Sequence, residues 1–335
     1  MGFDAVDKKI DFVSKLLPRF TMAAVTGLFA FLGAISVGGG IWYASQLMRR
    51  PARSPVVRSL FQGVVYERYV QTSPRPLLFH VVSVDLTHPG IDFLVTPPAP
   101  NSVSVSQDAA KPKVKVPANT VPDFLVEHGA QVAVNGSYFS PHHVKSPWHY
   151  YPQVGELVYP QGVSIANGKR YSSPAEGWAA LCVLSVSDIR ITEGDCPPGT
   201  QQGLAGDVQF VKNGQLYTDG LVILKKNPVR LMPRSAIAID KANERLWIVV
   251  VDGRQKGYSE GITLAELSEF VIALGADRAL NLDGGGSSTL AIDSPEAPTV
   301  LNAPIQARVP MRLRPVANHF GIYAQPLSPQ SSAPP

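Results

Sequence analysis

The chain has 335 residues, of which 45% are hydrophobic, 17% charged and 8% aromatic, a composition that excludes a mainly disordered protein. The formal net charge is +4, but its distribution is uneven. Residues 1–58 hold 8 basic and 3 acidic residues, whereas residues 59–335 hold 22 and 23. Because a nucleic-acid binder needs a basic face to neutralise phosphates, we expect no nucleic-acid partner.

The N-terminal region contains an uncharged run from Phe20 to Met48. About 20 apolar residues at helical rise cross a bilayer, so the sequence predicts a transmembrane anchor over 20–48 that follows a flank over 1–19. Four basic residues lie on each side of the run, which leaves its orientation undecided. A cleaved signal peptide and a buried core helix are the alternatives.

A linker is predicted over 49–74, followed by a domain that continues to residue 323. Residues 77–86 and 91–97 are apolar and rich in β-branched side chains, and the His-Pro-Gly turn between them indicates a hairpin. Residues 97–120 lack periodicity and predict a long surface loop.

Two helices are predicted from their capping residues. The first begins after Thr120 and ends at Gly129. The second spans 262–276, with Thr263 as its N-cap and Gly275 at its end.

The other predicted elements are short strands. Asn-Gly pairs at 167–168 and 213–214 indicate hairpin tips, and the tail over 324–335 reads as disordered low-complexity sequence. The predicted fold class is α+β, with mixed, strand-rich sheets and a few flanking helices. The strands beyond the second apolar run are predicted at 131–135, 235–240, 245–253 and 279–284.

Cys182 and Cys196 are the cysteines of the chain. Two thiols cannot build a four-cysteine zinc site. A disulfide between them closes a loop of about 15 residues, worth about 3 kcal/mol in the chain-entropy model, and it fits an oxidising compartment. Two unpaired thiols are the alternative. On balance we expect the globular part to lie outside the cytoplasm, in the periplasm or at the cell surface.

Three of the predicted strands end in polar turns that contain glycine: NGSYF at 135–139, DGR at 252–254 and DGGGSS at 283–288. Functional loops cluster where strand ends converge. A glycine turn can present several backbone N–H groups to an anion, and arginine is the preferred bidentate partner of phosphate.

No Gly-x-Ser-x-Gly motif is present, which disfavours an activated-serine hydrolase. His142 and His143 lack a third ligand at a recognisable spacing, so we expect no metal site and no cofactor.

These motifs resemble the phosphodiester glycosidases related to N-acetylglucosamine-1-phosphodiester α-N-acetylglucosaminidase. The matching segments are NGSYF (135–139), PRSAIAID (233–240), VVDGR (250–254), the block 259–290 and RPVANHFGIY (314–323). The resemblance spans about residues 75–323. It implies hydrolysis of the bond between a sugar's anomeric carbon and a phosphodiester oxygen, and a setting outside the cytoplasm where the substrate is a phosphate-linked envelope glycan or an exopolysaccharide.

The positions of the motifs assign roles to the carboxylates. Cleavage at an anomeric carbon passes through an oxocarbenium-like transition state. Asp283 is predicted to be the base or the group that stabilises this cation. Asp252 is the second candidate carboxylate, and Glu260 is a reserve acid.

The remaining candidates are predicted to bind the substrate. The phosphate is assigned to Arg234 and Arg254, with backbone N–H groups of Gly284, Gly285 and Gly286 and the hydroxyl of Ser287. Asn135 is predicted to position the sugar and Tyr138 to lie under its ring, while Arg314, Asn318 and His319 are predicted to close the cleft.

Two other classes of function remain open. A non-catalytic glycan-binding module of the envelope would use the same polar turns. A phosphodiesterase would cut the P–O bond and release a sugar phosphate. The oligomeric state does not follow from the sequence.

Overall fold

The computed structural model describes residues 25–31, 37–106, 108, 112–217 and 230–327. The chain divides into two compact units, Met1–Arg49 and Arg50–Pro335. Residues 25–31 and 37–48 of the first unit are helical. The predicted anchor over 20–48 lies partly outside the described residues, and no helix within them is long and apolar enough to cross a bilayer. The predicted flank over 1–19 and most of the predicted tail also lie outside them.

The second unit is built mainly of strands. Its first half contains β1 Val56–Phe61, β2 Val64–Gln71, β3 Leu77–Asp85, β4 Asp92–Val95, β5 Val103–Ser104, β6 Val114–Pro117, β7 Val132–Asn135, β8 Phe139–Ser140, β9 His143–Ser146, β10 His149–Tyr151, β11 Leu157–Pro160, β12 Ser164–Ala166 and β13 Lys169–Ser172. Its second half contains β14 Ala179–Ser185, β15 Asp188–Glu193, β16 Gln202–Ala205, β17 Val208–Lys212, β18 Gln215–Leu216, β19 Arg234–Ile239, β20 Arg245–Val251, β21 Arg278–Asn281, β22 Leu290–Ile292, β23 Thr299–Val300, β24 Ile305–Gln306, β25 Val309–Pro310 and β26 His319–Tyr323.

Among the described residues these strands form four larger sheets and two pairs. Sheet 1 has the order β1-β2-β3-β20-β19-β21-β17-β18, and its neighbouring strands are antiparallel. Sheet 2 has the order β23-β22-β7-β26-β4, and sheet 3 the order β13-β12-β16-β14-β15. Sheet 4 is β5-β6-β11-β8, and the pairs are β10-β9 and β24-β25.

Both predicted helices of the second unit are confirmed. Helix α1, Val121–His128, is capped by the Thr120 side chain, which accepts from the Asp123 N–H, and it ends at Gly129 with φ 65°. Helix α2, Leu264–Ala273, begins with a reciprocal capping box between Thr263 and Glu266. Short helices capped in this way are stabilised mainly by packing one apolar face on a sheet.

The core lies between the sheets. Strand β19 shows how the sequence divides its two faces, because Ile237 and Ile239 enter the cluster shared by sheets 1, 2 and 3, whereas Ala236 and Ala238 face α2. Alternation of side chains along a strand produces this division. Helix α1 covers the opposite face of sheet 2 through Phe124. Strand-rich sheets with few flanking helices therefore match the predicted fold class.

The structure differs from the sequence prediction at three places. The predicted hairpin of 77–86 and 91–97 is wrong, because β3 is paired on both sides in sheet 1 and the chain then crosses to β4 in sheet 2. Residues 56–71 of the predicted linker form β1 and β2. The predicted surface loop over 97–120 contains β5 and β6, which join sheet 4.

The two predicted hairpin tips and one of the two options for the cysteines are confirmed. Asn167 and Asn213 have positive φ, as does the glycine after each, and these tips join β12 to β13 and β17 to β18. Cys182 on β14 is bonded to Cys196. The disulfide ties the strand to the loop that follows β15 and lies in a buried cluster of sheet 3.

Candidate active site

Strand ends converge at one edge of sheet 1, as predicted. Arg234 at the start of β19 lies opposite Val251 at the end of β20, and Asn281 at the end of β21 pairs with Ala236. Because these strands are antiparallel, the start of β19 and the ends of its two neighbours share an edge. The chain after β21 forms the glycine turn, defined here as residues 283–288, at this edge.

Asn135, the last residue of β7, holds the glycine turn in place. Its Nδ2 donates to the carbonyl of Asp283 at 2.6 Å, and its Oδ1 accepts from Ser235 Oγ at 2.7 Å and from the Thr289 N–H at 3.2 Å. The residue is fully buried. The Asn135 amide therefore positions the turn, and its predicted contact with a sugar stays a prediction.

The three glycines allow side chains and backbone to approach where a Cβ would collide. An added Cβ on Gly285, which has φ +64°, would lie 2.8 Å from Arg254 Nη2. A Cβ on Gly286 would lie 2.5 Å from Arg314 Nη2. Two guanidinium groups therefore lie directly against the turn. Gly284 serves another purpose, because its neighbour at 2.7 Å is the backbone carbonyl oxygen at position 233.

Asp283 begins the turn and lies beside these cations. It is 9% exposed, and its Oδ2 accepts from Ser287 Oγ at 2.6 Å, while Arg314 Nη1 donates to the same hydroxyl at 3.2 Å. Burial raises the pKa of the Asp283 carboxyl, and the nearby Arg314, the Ser287 hydroxyl and His142 oppose that rise. A carboxyl with a raised pKa beside an anion site is suited to proton transfer.

Among the described residues around the glycine turn, guanidinium groups outnumber carboxylates. Partial burial lowers the pKa of Arg254, and the charges of Arg314 and Arg230 lower it further. Burial likewise lowers the pKa of Arg314, and Asp283 opposes this shift. Mutual repulsion between guanidiniums is relieved when an anion binds between them, so the arrangement favours a phosphate or another anion.

Arg234 and Tyr138 lie in a second polar cluster next to the turn. Arg234 is buried and donates to the carbonyls of Ile262 and Arg230, each at 3.3 Å. Burial lowers its pKa, and Tyr138 and Asp207 oppose this. Burial raises the pKa of the Tyr138 hydroxyl, as do Asp207 and Asp283. Arg234 therefore connects the backbone at Arg230 to the backbone at Ile262.

Asp252 has a structural environment, in contrast to its predicted catalytic role. Its carboxylate accepts from Asn302 Nδ2 at 3.0 Å and from the Ala303 N–H at 2.9 Å, and it lies 3.1 Å from His80 Nε2. Tyr66 Oη completes the chain at 2.8 Å from His80 Nδ1. These partners and its 1% exposure leave the Asp252 carboxylate no access to a substrate.

Glu260 lies on the loop before α2 and is half-buried. Its backbone N–H donates to Pro76 and its carbonyl accepts from the N–H of Arg254, which has φ 58°. The backbone of Glu260 therefore supports the unusual conformation that places Arg254 over the turn.

Two of the three predicted cleft-closing residues are buried structural groups. Asn318 Oδ1 accepts from the Ser137 N–H at 2.8 Å, and its Nδ2 donates to Ser164 Oγ at 3.1 Å. His319 stacks on Phe124 of α1, and burial lowers its pKa to about 3. Contrary to the prediction, neither side chain closes the site, and only Arg314 of the three reaches the glycine turn.

Sequence reasoning missed Gln306 and Asp207. Gln306 Oε1 accepts from Arg314 Nε at 2.8 Å and would lie 2.5 Å from a Cβ on Gly286. Asp207 accepts from Asn281 Nδ2 at 2.7 Å. Gln306 does not belong to a glycine-bearing strand end, whereas Asp207 follows Gly206 at the end of β16, a signal that could have found it.

Several buried polar atoms around the turn have no hydrogen-bond partner among the described residues. Each belongs to a side chain that is at most 1% exposed. Native proteins leave few such atoms, so those beside the turn call for a polar partner, either ordered water or a ligand. The atoms are Asn281 Oδ1, Ser288 Oγ, Thr289 Oγ1 and Gln306 Nε2.

The comparison with curated proteins finds a relative. Bovine N-acetylglucosamine-1-phosphodiester α-N-acetylglucosaminidase is 26% identical in an alignment of 196 residues, which covers 52% of this chain and 33% of that protein. The chain thus spans about a third of the length of this relative.

Two solved structures share the fold. A hypothetical protein from Synechocystis superposes with a TM-score of 0.57 at 14% identity, over 82% of this chain and 64% of that chain. The catalytic domain of the zebrafish N-acetylglucosamine-1-phosphodiester α-N-acetylglucosaminidase, auto-inhibited by its pro-peptide, gives a TM-score of 0.53 at 20% identity, over 82% and 86%.

The family comparison covers the part of the chain that forms the site. Residues 128–323, which include the glycine turn, Arg254 and Arg314, match the phosphodiester glycosidase family. The match extends over more than half of the sequence. The chain therefore belongs to the phosphodiester glycosidase family.

Proposed function

We propose that this chain hydrolyses the anomeric C–O bond of a sugar-1-phosphodiester. The observation that carries the proposal is the placement of Arg254 and Arg314 against the glycine turn, beside a buried Asp283 carboxyl. Two guanidiniums suit the charge of a phosphodiester, and the carboxyl suits the positive charge that develops at an anomeric carbon. The family to which the chain belongs supports this class of reaction.

The phosphate binds first in the proposed mechanism. Arg254 and Arg314 hold its non-bridging oxygens. The predicted Gly285 N–H donor is not available to the phosphate, because it donates to the Pro233 carbonyl at 2.9 Å, and the Ser287 N–H donates to the Gly284 carbonyl. Ser287 couples this site to the carboxyl, because its hydroxyl accepts from Arg314 and donates to Asp283.

Hydrolysis then occurs at the sugar carbon. Asp283 accepts a proton from a water molecule as the water oxygen bonds to the anomeric carbon, and the bond from that carbon to the phosphate oxygen breaks. The electron pair of the broken bond stays on the phosphate, so the products are a free sugar and a phosphomonoester. Phosphate is a good leaving group, and a strong general acid is therefore unnecessary.

The proposed setting is the outer side of a membrane. The uncharged run over 20–48 supports an N-terminal anchor, and the disulfide supports an oxidising compartment. A phosphate-linked envelope glycan or an exopolysaccharide is the proposed class of substrate.

The test incubates the full chain with the methyl phosphodiester of N-acetylglucosamine-1-phosphate, in the presence of a chelator, and identifies the products. Free N-acetylglucosamine with methyl phosphate supports the proposal when Asp283→Asn abolishes it. The exposed Asp293, changed to Asn, is the matched control and should keep full activity. N-acetylglucosamine-1-phosphate as product indicates a phosphodiesterase, and binding without turnover indicates a glycan-binding module.

A further inference from the structure

A cavity that Trp178 lines lies beside Tyr138. Its volume is about 530 Å³, within the range of small-molecule sites. We call it the Trp178 cavity, and its lining includes Trp178, Tyr159, Lys113, Gln161 and Ser140. None of these residues belongs to the phosphate site described above, and the proposed hydrolysis of a single sugar phosphodiester does not use them.

The cavity adjoins the candidate active site through Tyr138. The ring of Trp178 contacts that of Tyr138 edge to face, with 5.4 Å between their centroids. The Gln161 N–H donates to the Tyr138 carbonyl at 2.7 Å. On its other side, the hydroxyl of Tyr138 accepts from Asn281 Nδ2 at 3.3 Å. Tyr138 therefore links the polar cluster next to the glycine turn to the Trp178 cavity.

The position of the Trp178 ring is defined by its neighbours. Gly162 has φ +76°, and a Cβ added there would lie 3.2 Å from Trp178 Cε3 and 2.5 Å from the Cβ of Ala205. Glycine at this position thus lets the indole lie close to the strand β16. A ring fixed in this way loses little conformational entropy when a ligand packs on it.

The chemistry of the lining is aromatic and cationic. Lys113 Nζ lies 4.8 Å and Lys115 Nζ 5.1 Å from the centroid of the Tyr159 ring. No Asp or Glu is among the described residues that line the cavity. Aromatic faces pack on the C–H face of a sugar ring, and unneutralised ammonium groups attract a carboxylate or phosphate on that sugar.

We propose that the Trp178 cavity is a second subsite, which binds an acidic saccharide unit attached to the phosphodiester. The inference rests on the proposed function and makes it more specific, since the substrate is then an anionic oligosaccharide or polysaccharide. Trp178 and Tyr159 pack on the sugar ring, Lys113 pairs with its negative charge, and the Gln161 amide is placed to bond a hydroxyl.

The kinetic test compares a short and a long substrate. The short one is the methyl phosphodiester of N-acetylglucosamine-1-phosphate, and the long one carries a digalacturonate in place of the methyl group. Trp178→Ala and the exposed Lys113→Gln should each raise KM for the long substrate about tenfold and leave KM for the short one within twofold. Trp148→Ala and Lys241→Gln, at an exposed tryptophan and an exposed lysine outside the cavity, are the matched controls and should change neither. Equal effects on both substrates, or none, would overturn the subsite.

A binding measurement separates failure of the subsite from failure of the proposed function. Isothermal titration of the full-length Asp283→Asn variant with tetragalacturonate should show binding at least tenfold tighter than with neutral maltotetraose. Adding Lys113→Gln or Trp178→Ala should weaken the binding of tetragalacturonate about tenfold. If tetragalacturonate does not bind, or binds equally to all variants, the subsite is wrong whatever the enzyme hydrolyses. If it binds as expected while no phosphodiester is cleaved, the subsite stands and the proposed function fails.

Discussion

Two buried aspartates follow the strands on either side of β19 in sheet 1, and their carboxylates have different hydrogen-bond partners. Asp252, after β20, has its carboxylate oxygens occupied by Asn302, Ala303 and His80. Asp283, after β21, accepts from a single side chain, the Ser287 hydroxyl, and faces guanidinium groups. In sequence both are acids that precede a glycine at the end of an apolar strand.

The difference shows that the position of an acid at a strand end does not by itself make it reactive. A carboxylate bonded by several protein donors is stabilised in one geometry and has no lone pair left for a substrate. Burial destabilises the ionised form of a carboxyl and so raises its pKa. A positive charge that develops beside the carboxylate stabilises that ionised form. The first arrangement braces the loop after β20, and the second is the one that the proposed mechanism uses.

The largest expected effect is that of Asp283→Asn. The amide cannot accept a proton from water or stabilise a cation, so kcat should fall about 10²–10⁴-fold, as for the loss of a general base. Circular dichroism and thermal unfolding check that the variant folds, and steady-state hydrolysis of a sugar-1-phosphodiester measures the loss. A variant that folds and keeps full activity would remove Asp283 from the mechanism and with it the contrast to Asp252.

Gly286→Ala should produce the next largest effect. Its Cβ would lie 2.5 Å from both Arg314 Nη2 and Gln306 Oε1, so the guanidinium must move away from the turn. Loss of a charge-assisted hydrogen bond is worth about 1.5–3 kcal/mol, which predicts a KM raised about tenfold to a hundredfold.

The double variant Gly286→Ala with Gln306→Ala is the control for the collision. It removes one of the two groups that the new methyl meets, so KM should recover in part. An unchanged KM in the single variant would mean that the phosphate does not bind against this part of the turn.

Asp252→Asn should affect stability more than activity. Asparagine keeps only one acceptor oxygen where the carboxylate serves three donors, so the free energy of unfolding should fall by about 1–3 kcal/mol. The kcat of the folded variant should fall less than tenfold, because the change reaches the site only through the backbone. Urea unfolding and kcat at saturating substrate measure the two effects. A loss of kcat equal to that of Asp283→Asn would make Asp252 a second catalytic acid.

The sequence predicted the fold better than it predicted the roles of site residues. Helix caps and Asn-Gly tips are local signals, and the structure confirms them at Thr120, Thr263 and Asn167. The pairing of strands is not local, which explains why β3 and β4 read as a hairpin although they lie in different sheets.

The same distinction explains which site residues were found. The glycine turn was recognised because its three glycines are adjacent in sequence. Asn135 and Asn318 belong to equally polar motifs. Whether their amides face solvent or bind the backbone depends on partners that lie more than a hundred positions away in the sequence. Gln306 was missed because no sequence motif marks the β24-β25 pair that carries it. Its hydrogen bond with Arg314 exists only in the folded chain.

The smallest expected effect is a pH dependence that separates the two aspartates. Burial raises the pKa of Asp283 in the folded protein above the value of about 3.9 in an unfolded chain. The folded state therefore binds this proton more tightly than the unfolded state does. The resulting contribution to stability is complete below the unfolded pKa and is lost as pH rises through the folded pKa.

The difference in unfolding free energy between wild type and Asp283→Asn should therefore decline from pH 3.5 upward, by up to about 1.4 kcal/mol per pH unit, and level off above the folded pKa. Urea unfolding at a series of pH values measures this difference, and Asp293→Asn, at an exposed carboxylate, should give a flat one. A difference that grows with pH would mean that the cations around the turn outweigh burial, and that Asp283 ionises more readily than a surface acid.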